Sequence, residues 1–184
     1  MICIICLLSV NDCVNAKYSR IESMKTNIDI QPLVEVVQKL RSPNGCPWDK
    51  VQTHESLRRY FIEETYEVVD AIDNKDMDNL REELGDVLLQ IVFHSSLAEK
   101  SGAFTLQDVI NDVTEKMIHR HPNVFPEENP DNKGKTYTWD ELKAQEKGNI
   151  RKSVLDGVSK GLPALVAAQK LQDKAGKVGF DWDE

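Results

Sequence analysis

The chain has 184 residues, 40% hydrophobic and 29% charged, with 31 acidic against 23 basic side chains. That is enough for one ordinary domain with a core of its own. The net charge of −8 argues against a protein that grips nucleic acid by its backbone, which needs a basic surface.

In chain order, "MICIICLLSVNDCVNA" is a short apolar start that faintly resembles a signal peptide but lacks the basic opening. It also falls short of the about 20 apolar residues that span a bilayer, so no membrane association is expected. Residues 1–23 read as a dispensable extension, with Met24 a candidate start. The Cys3–Cys6 pair has no second pair or histidine cluster to complete a zinc set. Without a disulfide framework, a reducing cytoplasm is the simpler home.

Residues 30–41, "IQPLVEVVQKLR", carry apolar positions at helical spacing, with Pro32 suited to a first turn. "SPNGCPWDKVQTH" is a turn-rich loop. A helix is expected over about 54–73, then a polar break, "DNKDMDN", in which Asp76 or Asp78 caps a helix over about 79–100. That second helix, "LREELGDVLLQIVFHSSLAEK", is apolar nearly all round below Gly85, as central bundle helices are. Thr105 can cap "LQDVINDVTEKMIHRH", which Pro122 stops. Residues 122–136 suggest a mobile loop, and "TWDELKAQEKGNI" and "GLPALVAAQKLQDKAGKV" two further helices. No stretch alternates as a strand, so the expected fold is all-α, a helical bundle.

Leu57, Phe61, Val68 and Ile72 form an apolar stripe on the helix over 54–73, and Glu64 and Glu67 interrupt that face. The next helix repeats the anomaly with Glu83 and Asp86, three apart on one face. In an antiparallel hairpin turning at residue 75, opposed residue numbers add to about 150, since the chain doubles back on itself there. Glu64 then faces Asp86, and Glu67 faces Glu83. Four carboxylates in one half-buried interface raise one another's pKa values, and an uncompensated buried ion is costly. A hard divalent cation resolves the conflict. Oxygen-only ligands suit Mg²⁺, with Mn²⁺ as substitute, and zinc less well because no His or Cys joins the set. Di-iron bundles need Glu-x-x-His pairs, which this chain lacks. Glu63 lies off the stripe and reads as an outer residue, a water-orienting base or an exposed charge.

E-E-x-x-E at 63–67 followed by E-x-x-D at 83–86 resembles the signature of the all-α nucleoside triphosphate pyrophosphohydrolases, and more narrowly of the MazG family. "GCPWDKVQTHESLRRYFIEETYE", "EELGDVLLQIVFH", "RHPNVF", "WDELKAQEK" and "LPALVAAQKLQDKAGKVGFDW" have counterparts there in the same order. The resemblance implies Mg²⁺-dependent cleavage of an NTP or dNTP between its α and β phosphates, giving NMP and pyrophosphate, with a house-cleaning role in the nucleotide pool. It implies that Glu64, Glu67, Glu83 and Asp86 hold the metal, beside which Glu63 is the candidate for orienting water. It also implies that Lys116 and Arg120 contact phosphates, although cations also suit that helix end. Trp139 and Lys143 are weaker matches for nucleotide contacts, and Trp48 and Trp139 could stack on a base or serve as core. His119 and His121 read as packing or loop-anchoring residues.

MazG of the familiar bacterial type has two such domains in tandem, and this chain resembles the first. The expected organisation is a catalytic helical domain over 24–150, then residues 151–184 as a C-terminal helix and the start of a linker. A homodimer or larger homo-oligomer is expected. The competing class is a non-enzymatic nucleotide-binding or oligomerisation module left from a two-domain enzyme.

Overall fold

Two residues, Lys75 and Asp76, reverse the chain between its two longest helices. In the computed structural model, which describes residues 28–130, 141–142 and 153–180, α1 spans Gln31–Arg41 and a single turn, α2, spans Pro47–Lys50. The long pair is α3, His54–Asn74, and α4, Met77–Lys100; α5 spans Leu106–His119 and α6 Ala164–Gly176. No strand occurs among the described residues, and the fold is all-α. None of their helices is long and apolar enough to cross a membrane. The described residues fall into two compact units divided between Glu115 and Lys116.

The helix ends follow from local chemistry. Thr53 and Ser56 exchange hydrogen bonds as a capping box at the start of α3. Lys75 takes a left-handed conformation, φ 58°, and its N–H returns to the carbonyls of Ala71 and Ile72. The Asp76 carboxylate then accepts from the N–H groups of Asp78 and Asn79, opening α4. This link is tighter than the polar break suggests, because Met77 and Asp78 enter the helix instead of the turn. Thr105 and Asp108 form the reciprocal cap of α5.

In the first unit α3 and α4 pack along their length, and α1 lies against α4. The core is Val37, Leu57, Val92 and Phe93, flanked by Leu33, Tyr60, Leu89 and Leu97. Arg41, at the end of α1, donates to Ser96 and lies 5.3 Å over the Phe93 ring. Burial concentrates in the half of the hairpin far from its turn. Nearer the turn, Tyr66, Val69, Leu84 and Leu88 are exposed, although the apolar girth of α4 suggests a fully enclosed helix.

In the second unit the segment after Pro122 is more ordered than its composition suggests. Asn129 is buried, and its amide donates to the carbonyls of Ile118 and Phe125 at 3.0 and 2.9 Å. Lys174 on α6 donates to the carbonyls of Val154 and Asp156. The expected N-terminal extension and most of the expected helix over 138–150, with Trp139 and Lys143, lie outside the described residues.

Candidate metal centre

The hairpin brings the interrupting carboxylates together. One oxygen from each of Glu64, Glu83 and Asp86 lies within 4.8 Å of the others, and all three residues are half-buried. Glu67 is more exposed, and its carboxyl hydrogen-bonds to those of Glu64 and Glu83. The arrangement comes from helical spacing: Glu64 and Glu67 share a face of α3, Glu83 and Asp86 a face of α4, and the two-residue turn sets them opposite.

The cost of that convergence falls on Glu64. Burial, a hydrogen bond with Glu67 and the charges of Asp86, Glu67 and Glu83 push its pKa from 4.5 up to about 7. Glu83 is raised as well, by burial and then by the charges of Glu67, Asp86 and Glu82. No basic side chain is among the causes acting on either group. Oxygens on one Mg²⁺ lie at most about 4.2 Å apart, twice the usual bond of about 2.1 Å. Pairs of the trio at the limit of their range would draw in by about 0.6 Å or more to reach that spacing, and its all-oxygen donors fit a hard divalent ion.

The other expected residues are placed as follows. Glu63 is exposed and pairs with Arg59 on its own helix at 3.4 Å. Lys116 is exposed on the last turn of α5, and Arg120, just beyond it, is buried. Trp48 is half exposed and meets Tyr60 edge-on, with ring centres 5.6 Å apart.

A second polar feature lies further from the turn on the same hairpin. The Nδ1 atoms of His54 and His94 are 2.7 Å apart, with the ring centres 5.0 Å apart and the ring planes 13° from parallel. Phe61 meets the His94 ring edge-on at 5.9 Å. Burial and the neighbouring His54 hold the His94 pKa below the usual histidine range. No motif marks this pair. The hairpin arithmetic could have found it, because residue 54 opposes residues near 96.

Residues 52–125 match the family model described as the MazG nucleotide pyrophosphohydrolase domain. A Thermotoga maritima protein, the nucleoside triphosphate pyrophosphohydrolase/pyrophosphatase MazG, is 49% identical over 161 residues, covering 87% of this chain and 62% of the relative. The Escherichia coli K12 nucleoside triphosphate pyrophosphohydrolase is 43% identical over 156 residues, covering 83% of this chain and 59% of the relative. The uncharacterized Bacillus subtilis protein YabN is 51% identical over 138 residues, covering 74% and 28%. The chain thus spans less than two thirds of these relatives' lengths.

Proposed function

Residues 52–125 belong to the MazG nucleotide pyrophosphohydrolase domain family, and from that premise we propose that the protein hydrolyses nucleoside triphosphates between the α and β phosphates, giving NMP and pyrophosphate. The observation that carries the reading is the convergence of Glu64, Glu83 and Asp86 between antiparallel helices, with the Glu64 pKa raised to about 7. Such a group gains most from a cation that takes the place of its proton.

Glu64, Glu83 and Asp86 would hold Mg²⁺, or Mn²⁺ in its place, with Glu67 as a fourth oxygen donor at the exposed edge. The chemistry supplied by such an ion, when bound, is Lewis-acid neutralisation of phosphate charge and activation of water. The protein's own part is positioning and charge, because phosphoryl transfer to water needs little covalent help. The carboxylates fix the charge at the hairpin seam. Lys116 and Arg120 are assigned to the phosphates, the buried Arg120 being suited to hold its guanidinium in one orientation. Glu63 is proposed to orient water through the oxygen that Arg59 does not engage. Trp139 and Lys143 remain proposed nucleotide contacts, and Trp48 is better explained by its packing on Tyr60. Removal of unwanted NTPs and dNTPs is the role that follows, acting as a homo-oligomer through the exposed strip on α3 and α4.

The test is pyrophosphate and NMP release from a panel of NTPs and dNTPs with Mg²⁺, comparing the chain with Glu64→Gln and Asp86→Asn. Release by the parent and none by either variant is expected. A folded parent that releases nothing from any substrate would overturn the hydrolase and leave a nucleotide-binding or oligomerisation module.

A further inference from the structure

Far from the hairpin turn, the ends of α1, α2 and α4 border a cleft of ≈ 430 Å³, within the range of small-molecule sites, about 300–1,000 Å³. Arg41, Lys50 and Lys100 line it, together with Gln38, Pro43 and Ser96. No acidic side chain is in that lining, although the chain carries a net charge of −8. We infer that this cleft is a second anion site, which binds a phosphate-bearing small molecule apart from the carboxylate centre. The site does not depend on the hydrolase reading above.

Its wall is a set of donors. Arg41 gives Nη1 to the Ser96 hydroxyl, and Lys50 gives one N–H to the Pro43 carbonyl at 2.9 Å. Guanidinium and ammonium groups only donate, through several N–H groups each, so these two bonds leave most of them for a ligand. The Gln38 amide and the Ser96 O–H are further donors. A guanidinium fork suits phosphate oxygens, and lysines add point charges beside it. Three cations around one cleft match an anion of more than one charge, which a phosphate monoester or pyrophosphate is and a single carboxylate is not.

The positive charge is under-compensated. The Arg41 Nε is buried without a hydrogen-bond partner among the described residues. Burial lowers the Arg41 pKa, and the charge of Asp49, which lies outside the lining, offsets this only in part. Cations are ordinary at helix C-terminal ends, because each end carries about half a negative charge. One full positive charge at each of three such ends still leaves the cleft positive, and a cleft lined by one sign concentrates the opposite ion. Position separates this site from the carboxylates: Ser96 and Lys100 follow Asp86 on α4 by about 15 and 21 Å of helix axis.

The experiment uses the full chain, freed of divalent metal on a chelating resin, so that phosphates have no cation to meet at the carboxylates. Pyrophosphate, inorganic phosphate and AMP are titrated in turn by calorimetry. The Arg41 Nε–H resonance, assigned with Arg41→Lys, reports on the guanidinium in the same titrations. Lys50→Ala and Lys100→Ala, both at exposed positions, are compared with the parent. Lys75→Gln, which removes a charge at the hairpin turn, and Glu64→Gln are the controls.

The expected result is saturable binding with Kd below about 1 mM and a shift of the Arg41 resonance that saturates with it. Lys50→Ala and Lys100→Ala should each weaken binding at least about tenfold, the loss of one charge-assisted hydrogen bond. Both controls should bind as the parent does. Pyrophosphate binding more tightly than AMP would identify an inorganic phosphate ligand, and the reverse order a nucleotide. An Arg41 resonance that none of the three anions moves would overturn the site and leave its cations as helix-end charges. Binding of equal strength in all the lysine variants would overturn it as well, by placing the anion elsewhere. Neither of these results touches the hydrolase, whose test is made with Mg²⁺.

Discussion

Glu64 concentrates the conflict that the hairpin creates. It is an acid on an apolar stripe, opposite Asp86 and bonded to Glu67, with a folded pKa near 7 against an ordinary 4.5. Between those values the metal-free folded state keeps a proton that the unfolded chain releases. The folded state thus binds more protons, and stability falls as pH rises through the window. The melting temperature in EDTA should therefore drop from pH 5 to pH 7.5 and level off above. Saturating Mg²⁺ should flatten that drop, because the ion takes the proton's place. Glu64→Gln should also flatten it, raise metal-free stability above the parent's at pH 7.5, and weaken Mn²⁺ binding by more than about a hundredfold, beyond the about 10–100-fold cost of an outer-sphere change. Melting curves that are flat in the parent would sink this account. The carboxylates were legible in the sequence because helical period and hairpin symmetry are both counting rules. The Arg59 partner of Glu63 was equally countable, lying four residues away. The histidine contact carries no motif, but the same hairpin count sets residue 54 opposite residues near 96, and the folded register makes the contact.

At the scale of elements, the register rests on two short connections with opposite vulnerabilities. The loop after α1 folds back so closely that a Cβ on Gly45 would lie 2.1 Å from the Leu40 carbonyl oxygen and 2.4 Å from that of Lys39. The Cys46 N–H closes the same loop on Leu40 at 2.8 Å. Gly45→Ala must push backbone against backbone, and a loss of about 2 kcal/mol or more is expected from denaturant titration. Lys75 presents the reverse case. It is exposed and holds φ 58°, where a side chain is disfavoured by about 1–2 kcal/mol. Lys75→Gly should then be neutral or stabilising by up to about 1 kcal/mol, because the added freedom of glycine in the unfolded chain offsets part of the relief. A clear destabilisation would mean that the turn draws on the lysine side chain. Turn residues and caps made the helices legible to within a few positions: Thr53, Asp76 and Thr105 each cap where their chemistry indicates. Composition misled at residues 122–130, because a Pro- and Asn-rich segment looks loose until one amide, that of Asn129, finds two carbonyls.

Across the whole molecule, the half of the hairpin near its turn is unfinished as a single chain. Ile62, Tyr66 and Val69 recur at helical spacing on α3, and Leu84 and Leu88 do so on α4, all of them exposed. Single exposed apolar residues are ordinary, but a strip shared by two packed helices marks an association surface. The strip and the carboxylates share the same two helices on different faces, Tyr66 lying about 200° of helical turn from Glu64, so association through the strip would steady the hairpin whose register brings Glu64, Glu83 and Asp86 together. A second copy covering this strip would hold α3 and α4 in that register, and a cation held by the carboxylates would do the same. Assembly and metal binding should therefore favour each other. Sedimentation equilibrium of the parent is expected to give a dimer or larger species, held more tightly with Mg²⁺ than in EDTA. Tyr66→Glu places a charge in the middle of the strip, away from the cleft and the carboxylate trio. It should shift the distribution to monomer and weaken Mn²⁺ binding in the same samples, since the two equilibria are linked. A parent that sediments as a monomer at every concentration would remove the oligomer. A dimer indifferent to both Mg²⁺ and the Tyr66 charge would place the interface elsewhere.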